Sequence, residues 1–128
     1  MNDVVLDASA ILAIFFQERG AENLTYNLMN VSLIGAVNMA EVQTKLIQKG
    51  FDPEVAWEDA FLLVKSVVPF SPEQAKIAGS LITKTQPYGL SLGDRSCLAL
   101  AISLNAPVYT TEQVWRHLDL GIPIHVIR

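Results

Sequence analysis

The sequence predicts an α/β protein with a mostly parallel sheet of about five strands and helices on both faces, a three-layer α/β/α arrangement. Three observations predict it. Short apolar runs rich in β-branched residues alternate with helical segments from one end of the chain to the other. Acidic residues recur where a helix begins, and several of these starts follow a strand closely. No repeat, low-complexity segment or linker interrupts the 128 residues, a length that suits one domain, so the span 1–128 is read as a single domain. Each crossover should be right-handed.

Val4-Val5-Leu6 is a short buried strand. It runs through Asp7-Ala8-Ser9-Ala10 into Ile11–Phe16, a helix that is apolar nearly all round. Asp7 falls at the strand–helix junction, on the edge of a parallel sheet where ligands bind. Gly20 breaks this helix, and a second short helix is expected over 21–29. Val31-Ser32-Leu33-Ile34 is the second strand. Asn38-Met39-Ala40-Glu41-Val42 opens a helix that Gly50 ends, and Pro53 stands in the first turn of the next. Val67-Val68-Pro69-Phe70 is a third strand, which Pro69 makes short or places at an edge. Ser71-Pro72-Glu73-Gln74 reads as a capping box with proline at the first helical position. After a loop over 86–89, Ser91-Leu92-Gly93-Asp94 starts a strongly apolar helix. Ala106–Thr110 is the fourth strand, Thr111 caps a short helix carrying Val114, Trp115 and Leu118, and 122–127 is the last strand.

Composition narrows the function. Hydrophobic residues make up 51% and charged residues 17%, against about 25% charged in an ordinary soluble domain, so wide helix faces are expected to be buried in the core or against a partner. No apolar run approaches the ~20 residues of a membrane span. The start Met1-Asn2-Asp3 carries no basic region, so no signal peptide is expected. Cys97 is the only cysteine, which points to a cytoplasmic protein. The net charge of −4 and pI near 5.0 argue against an electrostatic nucleic-acid coat. They leave room for an enzyme that acts on nucleic acid through a bound metal, and they suit a basic protein partner.

Four acids stand out: Asp7, Glu41, Asp94 and Glu112. Each alone has a plain structural role as an N-cap, a capping-box member or a first-turn acid favoured by the helix dipole. All four on one sheet edge are harder to explain that way. Carboxylates crowded together repel unless a hard divalent cation joins them, and Mg²⁺ or Mn²⁺ is the usual occupant. Such a cation activates water and stabilises charge on a phosphoryl group. Ser9, Asn38 and Thr110 lie beside these acids and suit a supporting role. Lys45, Lys49, Arg95 and Arg116 are candidates for substrate phosphates, although Lys45 is also placed to pair with Glu41 at i, i+4. Cys97 reads as a small buried hydrophobe, His117 and His125 as structural, and Trp57 and Trp115 as core or interface.

With these residues in place, the chain resembles the PIN-domain proteins, close to the VapC toxins of toxin–antitoxin pairs. The resemblance spans essentially the whole chain. It rests on Val5-Leu6-Asp7-Ala8-Ser9-Ala10, on Asn38-Met39-Ala40-Glu41-Val42, on Leu90-Ser91-Leu92-Gly93-Asp94-Arg95-Ser96-Cys97, and on Val108-Tyr109-Thr110-Thr111-Glu112 before Trp115. It implies a Mg²⁺- or Mn²⁺-dependent endoribonuclease. Asp7 and Asp94 would be the main metal ligands, and Glu41 a further ligand or the holder of the attacking water. Glu112 would complete the acidic cluster, with Ser9 and Thr110 in support. It also implies a homodimer and an antitoxin whose tail covers the site. One position departs from the family pattern: the last acid is usually Asp, and here it is Glu112, one methylene longer. A second reading is therefore a catalytically silent PIN-like domain that binds protein or RNA. A haloacid-dehalogenase-type phosphatase would need a second acid where Ser9 stands, and the acids of a receiver domain are absent.

Overall fold

The computed structural model describes residues 2–128. Five strands form one sheet in the order β3-β2-β1-β4-β5: β1 Val4–Leu6, β2 Ser32–Gly35, β3 Ser66–Val68, β4 Val108–Thr110 and β5 Ile124–Val126. Every pairing is parallel, so the sheet is wholly rather than mostly parallel. Among the described residues, seven α-helices connect the strands: α1 Ala8–Phe15, α2 Tyr26–Met29, α3 Ala36–Gln48, α4 Pro53–Leu63, α5 Pro72–Ser80, α6 Ile82–Thr85 and α7 Leu92–Leu104.

The alternation along β1 builds the two cores. Val4 and Leu6 face one way and pack with α1, α2, α3 and α4 through Ile11, Leu28, Met39, Val42 and Ala56. Val5 faces the other way and packs with α7 through Cys97, Leu98 and Leu100, and with Leu81, Val108 and Trp115. A strand covered on both faces needs apolar residues at every position, which is why β1 reads as an unbroken run. These are the three layers that the sequence predicts.

The chain passes from β1 to β2 and β3 on one side, then returns through α7 to β4 and β5 on the other. The order therefore reverses between β1 and β4, the place where open parallel sheets bind ligands. Because α7 leads into the start of β4, its own N-terminus lies at the C-terminal edge of the strands. Asp94, which follows a loop in sequence, reaches the same edge as Asp7 by this route.

Several local expectations change. The segment 21–29 is not one helix. A 3₁₀ turn over Ala21–Asn23 precedes α2, which Thr25 caps through Leu28 N–H at 3.3 Å. The helix expected to open at Asn38 begins two residues earlier, with Gly35 at the N-cap. Asn38 therefore lies inside the first turn, and Asn38-x-x-Glu41 is not a capping box. Ser71 accepts from Gln74 N–H at 3.1 Å, half of the box expected there. The segment after β4 is a 3₁₀ turn over Gln113–His117 whose N-cap is Glu112, not Thr111. β3 ends before Pro69 and lies at the sheet edge, where a missing N–H does least harm.

Candidate active site

Asp7 is the centre of a polar network at the end of β1. It is buried, 3% exposed, and caps α1 by accepting from Ala10 N–H at 3.0 Å. Ser9 Oγ donates to the same carboxylate oxygen, Oδ1, at 2.7 Å. Thr110 Oγ1, at the end of β4, donates to Oδ2 at 2.7 Å. Both hydroxyls are themselves held: Thr111 N–H donates to Ser9 Oγ, and Glu112 N–H to Thr110 Oγ1, each at 3.0 Å. The network ties β1 to β4 by side chains as well as by the ladder.

Burial raises the Asp7 pKa from its ordinary 3.8 to about 6. The hydrogen bonds from Thr110, Ser9 and Ala10 oppose that shift, and the Asp94 charge adds a little to it. Cys97, buried beneath the acids, has its thiol pushed well up, chiefly by burial and then by the charges of Asp7, Asp94 and Glu41. It is a packed small hydrophobe rather than a nucleophile.

The other acids surround Asp7. One cleft of about 180 Å³ is lined by Asp7, Glu41, Asp94 and Glu112 together with Ser9, Asn38, Leu12 and Lys45. Asn38 Nδ2 donates to Glu41 Oε1 at 2.8 Å and to the Gly93 carbonyl at 3.0 Å, joining α3 to the first turn of α7. The amide oxygen of Asn38 is buried and, among the described residues, unpartnered. Asp94 belongs to a true capping box, accepting from Ser91 N–H at 2.9 Å while its own N–H donates to Ser91 Oγ at 3.1 Å. The capping and cleft roles of Asp7 and Asp94 are therefore simultaneous rather than alternative. Glu112 makes no capping bond with its side chain.

Gly93 faces the Glu41 carboxylate, a closeness that its place in the motif does not announce. A Cβ there would collide with the Glu41 carboxylate. A glycine in the first turn of a helix costs helical stability, and the close approach of Glu41 explains why it stands there. Thr111, expected to cap a helix, instead orients Ser9 through its backbone N–H.

The basic candidates separate. Lys45 lines the cleft and forms no ion pair with Glu41; the two pairs among the described residues are Lys65–Asp3 and Arg128–Glu18. Arg95 turns away and donates from Nη1 to the Ala78 carbonyl of α5 at 2.9 Å, leaving its Nε buried without a partner. Arg116 donates to the carbonyl of Arg128 at 3.0 Å. Neither arginine lines the cleft. His117 stacks on Tyr88 and His125 on Tyr109.

The donor set is entirely oxygen, as a hard divalent cation requires. Among the described residues, no group of three or more His, Cys, Asp or Glu side chains is drawn together as a metal cage. The acids share a cleft, but Glu41 and Asp94 are held by Asn38 and Ser91.

Fold and cleft define a class: α/β proteins with a carboxylate-lined cleft where the order of a parallel sheet reverses. The chain belongs to the PIN domain family, whose model matches residues 4–120. Solved structures agree on the fold. DNA-bound VapBC from Salmonella typhimurium is 18% identical, with a TM-score of 0.73 over 97% of each chain. VapBC2 from Rickettsia felis, bound to a promoter DNA fragment, is 18% identical, with a TM-score of 0.72 over 94% of this chain and 96% of that one. VapC20 from Mycobacterium tuberculosis, a sarcin-ricin loop cleaving toxin, is 15% identical, with a TM-score of 0.72 over 94% and 99%. No curated protein matches the sequence. Among the described residues, no helix is long and apolar enough to cross a membrane.

Proposed function

We propose that the chain, acting as one domain over 1–128, is a divalent-cation-dependent endoribonuclease and the toxin of a toxin–antitoxin pair. The observation that carries this reading is the convergence of Asp7, Glu41, Asp94 and Glu112 on one cleft at the β1–β4 switch point. Membership of the PIN family supports it, as do the toxin structures that share the fold.

Asp7 and Asp94 would be the main ligands of Mg²⁺ or Mn²⁺, with Glu41 and Glu112 completing the set. When bound, the cation would offset charge on the phosphoryl group and polarise it toward attack by water. The chain's own residues do the rest. Ser9 and Thr110 hold the two oxygens of Asp7 in fixed directions. Asn38 ties one oxygen of Glu41 and leaves the other to accept a hydrogen bond from the attacking water. Lys45, on the cleft wall, meets a phosphate of the RNA. The bond of Arg95 to the Ala78 carbonyl and that of Arg116 to the Arg128 carbonyl count against a phosphate role for either.

A cytoplasmic homodimer with an antitoxin partner completes the proposal. The structures sharing the fold include toxin–antitoxin complexes. An exposed apolar face on α2 and α4, with Tyr26 and Leu62 each 81% exposed, supports a protein partner. The second reading, a catalytically silent binding domain, is favoured by one observation: the acids are not gathered into a cage.

Cleavage of total RNA by purified protein with Mg²⁺, with Mn²⁺ and with EDTA, beside Asp7→Asn, separates the two readings. Discrete fragments that need both the cation and Asp7 establish the nuclease. Intact RNA in every lane, from folded protein free of antitoxin, establishes the silent domain.

A further inference from the structure

Residues 127 and 128 are clasped between the loop after α1, the end of β4 and the 3₁₀ turn over Gln113–His117. Ile127 is buried against the α1 side of the sheet and donates its N–H to the Thr110 carbonyl at 2.9 Å. Its own carbonyl accepts from Asn23 Nδ2 at 3.0 Å. The chain at Gly20, where φ is +94°, passes so close that a Cβ would strike the Ile127 carbonyl, so both the turn and the approach call for glycine there. Arg128 Nη1 pairs with Glu18 Oε1 at 2.9 Å. From the other side, Gln113 Nε2 and Arg116 Nη2 both donate to the Arg128 carbonyl, at 3.2 and 3.0 Å. Side chains three apart eclipse one another in a 3₁₀ turn, which is why these two converge on one acceptor.

Thr110 and Gln113 stand on either side of Glu112, so residues 127 and 128 fix the chain before and after that acid. The other three acids of the cleft have side-chain holders: Asp7 has Ser9 and Thr110, Glu41 has Asn38, and Asp94 has the Ser91 N–H. The Glu112 side chain makes no capping bond, and the backbone that carries it sets its place. That backbone enters a five-residue 3₁₀ turn, an element with poorer hydrogen-bond geometry than an α-helix. Buried Trp115 anchors the turn in the core, but from three residues farther on.

We infer that Gln113 and Arg116, through their shared hold on Arg128, are positioning residues that keep Glu112 directed into the cleft for the cation. The inference rests on the nuclease reading and adds to it the device that places the fourth acid. The sign of the effect separates positioning from charge. Removing a positive charge cannot by itself weaken the attraction of a carboxylate site for a cation, whereas freeing Glu112 does.

The test is a double-mutant cycle on the full-length protein, read by calorimetric titration with Mn²⁺ in the absence of RNA. Gln113 and Arg116 are exposed, so the variant carrying Gln113→Ala and Arg116→Ala keeps the fold, which a melt without cation checks. It is expected to bind Mn²⁺ about fivefold more weakly than wild type, and Glu112→Gln at least as weakly. Adding the pair of substitutions to Glu112→Gln is expected to change nothing further, because the acid they position is already gone. Equal weakening in both backgrounds marks a merely structural role and overturns the inference. So does unchanged or tighter Mn²⁺ binding in the pair variant, or Glu112→Gln that binds Mn²⁺ as wild type does. RNA cleavage is measured alongside. Cation-dependent cleavage that needs Asp7, with no coupling in the cycle, overturns the positioning role alone. Absence of both Mn²⁺ binding and cleavage in the wild type overturns the nuclease reading with it.

Discussion

Thr110 Oγ1 donates to Asp7 Oδ2 across 2.7 Å and 103 residues of chain. The same hydroxyl accepts from Glu112 N–H, so one side chain positions the acid of β1 and the backbone that carries the acid after β4. Thr110→Val keeps the shape and removes both bonds. It is expected to destabilise the protein by about 1–3 kcal/mol, the cost of unpaired buried polar groups, and to lower cleavage at least about tenfold. Thr110→Ser is expected to restore most of the activity. Chemical denaturation and RNA cleavage on the three proteins check both statements.

An ionised Asp7 costs the fold stability at neutral pH. Its folded pKa of about 6 lies above the ordinary 3.8. Below pH 4 both the folded and unfolded chains hold the proton; between 4 and 6 only the folded chain does. This group's contribution to stability is therefore full in acid and lost as pH rises through 6, by roughly 3 kcal/mol in total. Asp7→Asn removes the effect while keeping an acceptor for Ser9 and Ala10. It is expected to melt at a higher temperature than wild type at pH 7, with the gap closing toward pH 4, while losing cleavage. A variant that melts lower at pH 7 contradicts the account.

Divalent cation should reverse that penalty. A cation needs ionised carboxylates, and a ligand that binds only the folded state raises the melting temperature by mass action. The shift induced by Mg²⁺ or Mn²⁺ is expected to be large at pH 7 and small at pH 5. Equal shifts at both pH values, or none, count against a cation held by Asp7. Thermal melts with and without cation read this without reference to RNA.

Gly93→Ala tests the approach of Glu41 to α7. The added methyl displaces the Glu41 carboxylate, the far end of a flexible side chain, so the fold survives. Alanine also gains up to about 1 kcal/mol of helix propensity. The expected result is a melting temperature unchanged or slightly raised and cleavage reduced at least about tenfold. Wild-type activity in this variant assigns Glu41 no part in the chemistry.

Arg95→Met is the contrasting case. It retains the stem, removes the bond to the Ala78 carbonyl and also removes the buried unpartnered Nε. Stability is expected to change by less than about 1.5 kcal/mol, with cleavage and the salt dependence of RNA binding unchanged. A loss of RNA affinity in this variant restores Arg95 to the substrate side.

Much of this was legible in the chain. β1 and β4 are apolar runs ended by polar residues, and the acids beyond them mark the edge they share. Asp7, Ser9, Thr110 and Glu112 follow from those junctions, Asn38 and Glu41 from the end of β2, and Asp94 from the helix start at Ser91. What sequence could not supply was direction. Asp94 and Arg95 are neighbours on α7, but consecutive helical residues point about 100° apart, so one lines the cleft and the other reaches α5. Arg116 lies in a 3₁₀ turn that brings it to Arg128, a contact no local pattern announces. Gly93 matters for what is absent, a methyl group that Glu41 would meet, and only packing reveals it.

The centre of the sheet joins β1 at residues 4–6 to β4 at residues 108–110, a pairing of high sequence separation that forms slowly. Synthesis proceeds from the N-terminus, and β4 leaves the ribosome late. Until it does, Asp7 lacks its Thr110 partner, and Glu112 has not joined Glu41 and Asp94. A growing chain therefore carries three of the four acids without the geometry that gathers them. The cleft is thus among the last features of the fold to be completed, because it closes on a strand made near the end of synthesis.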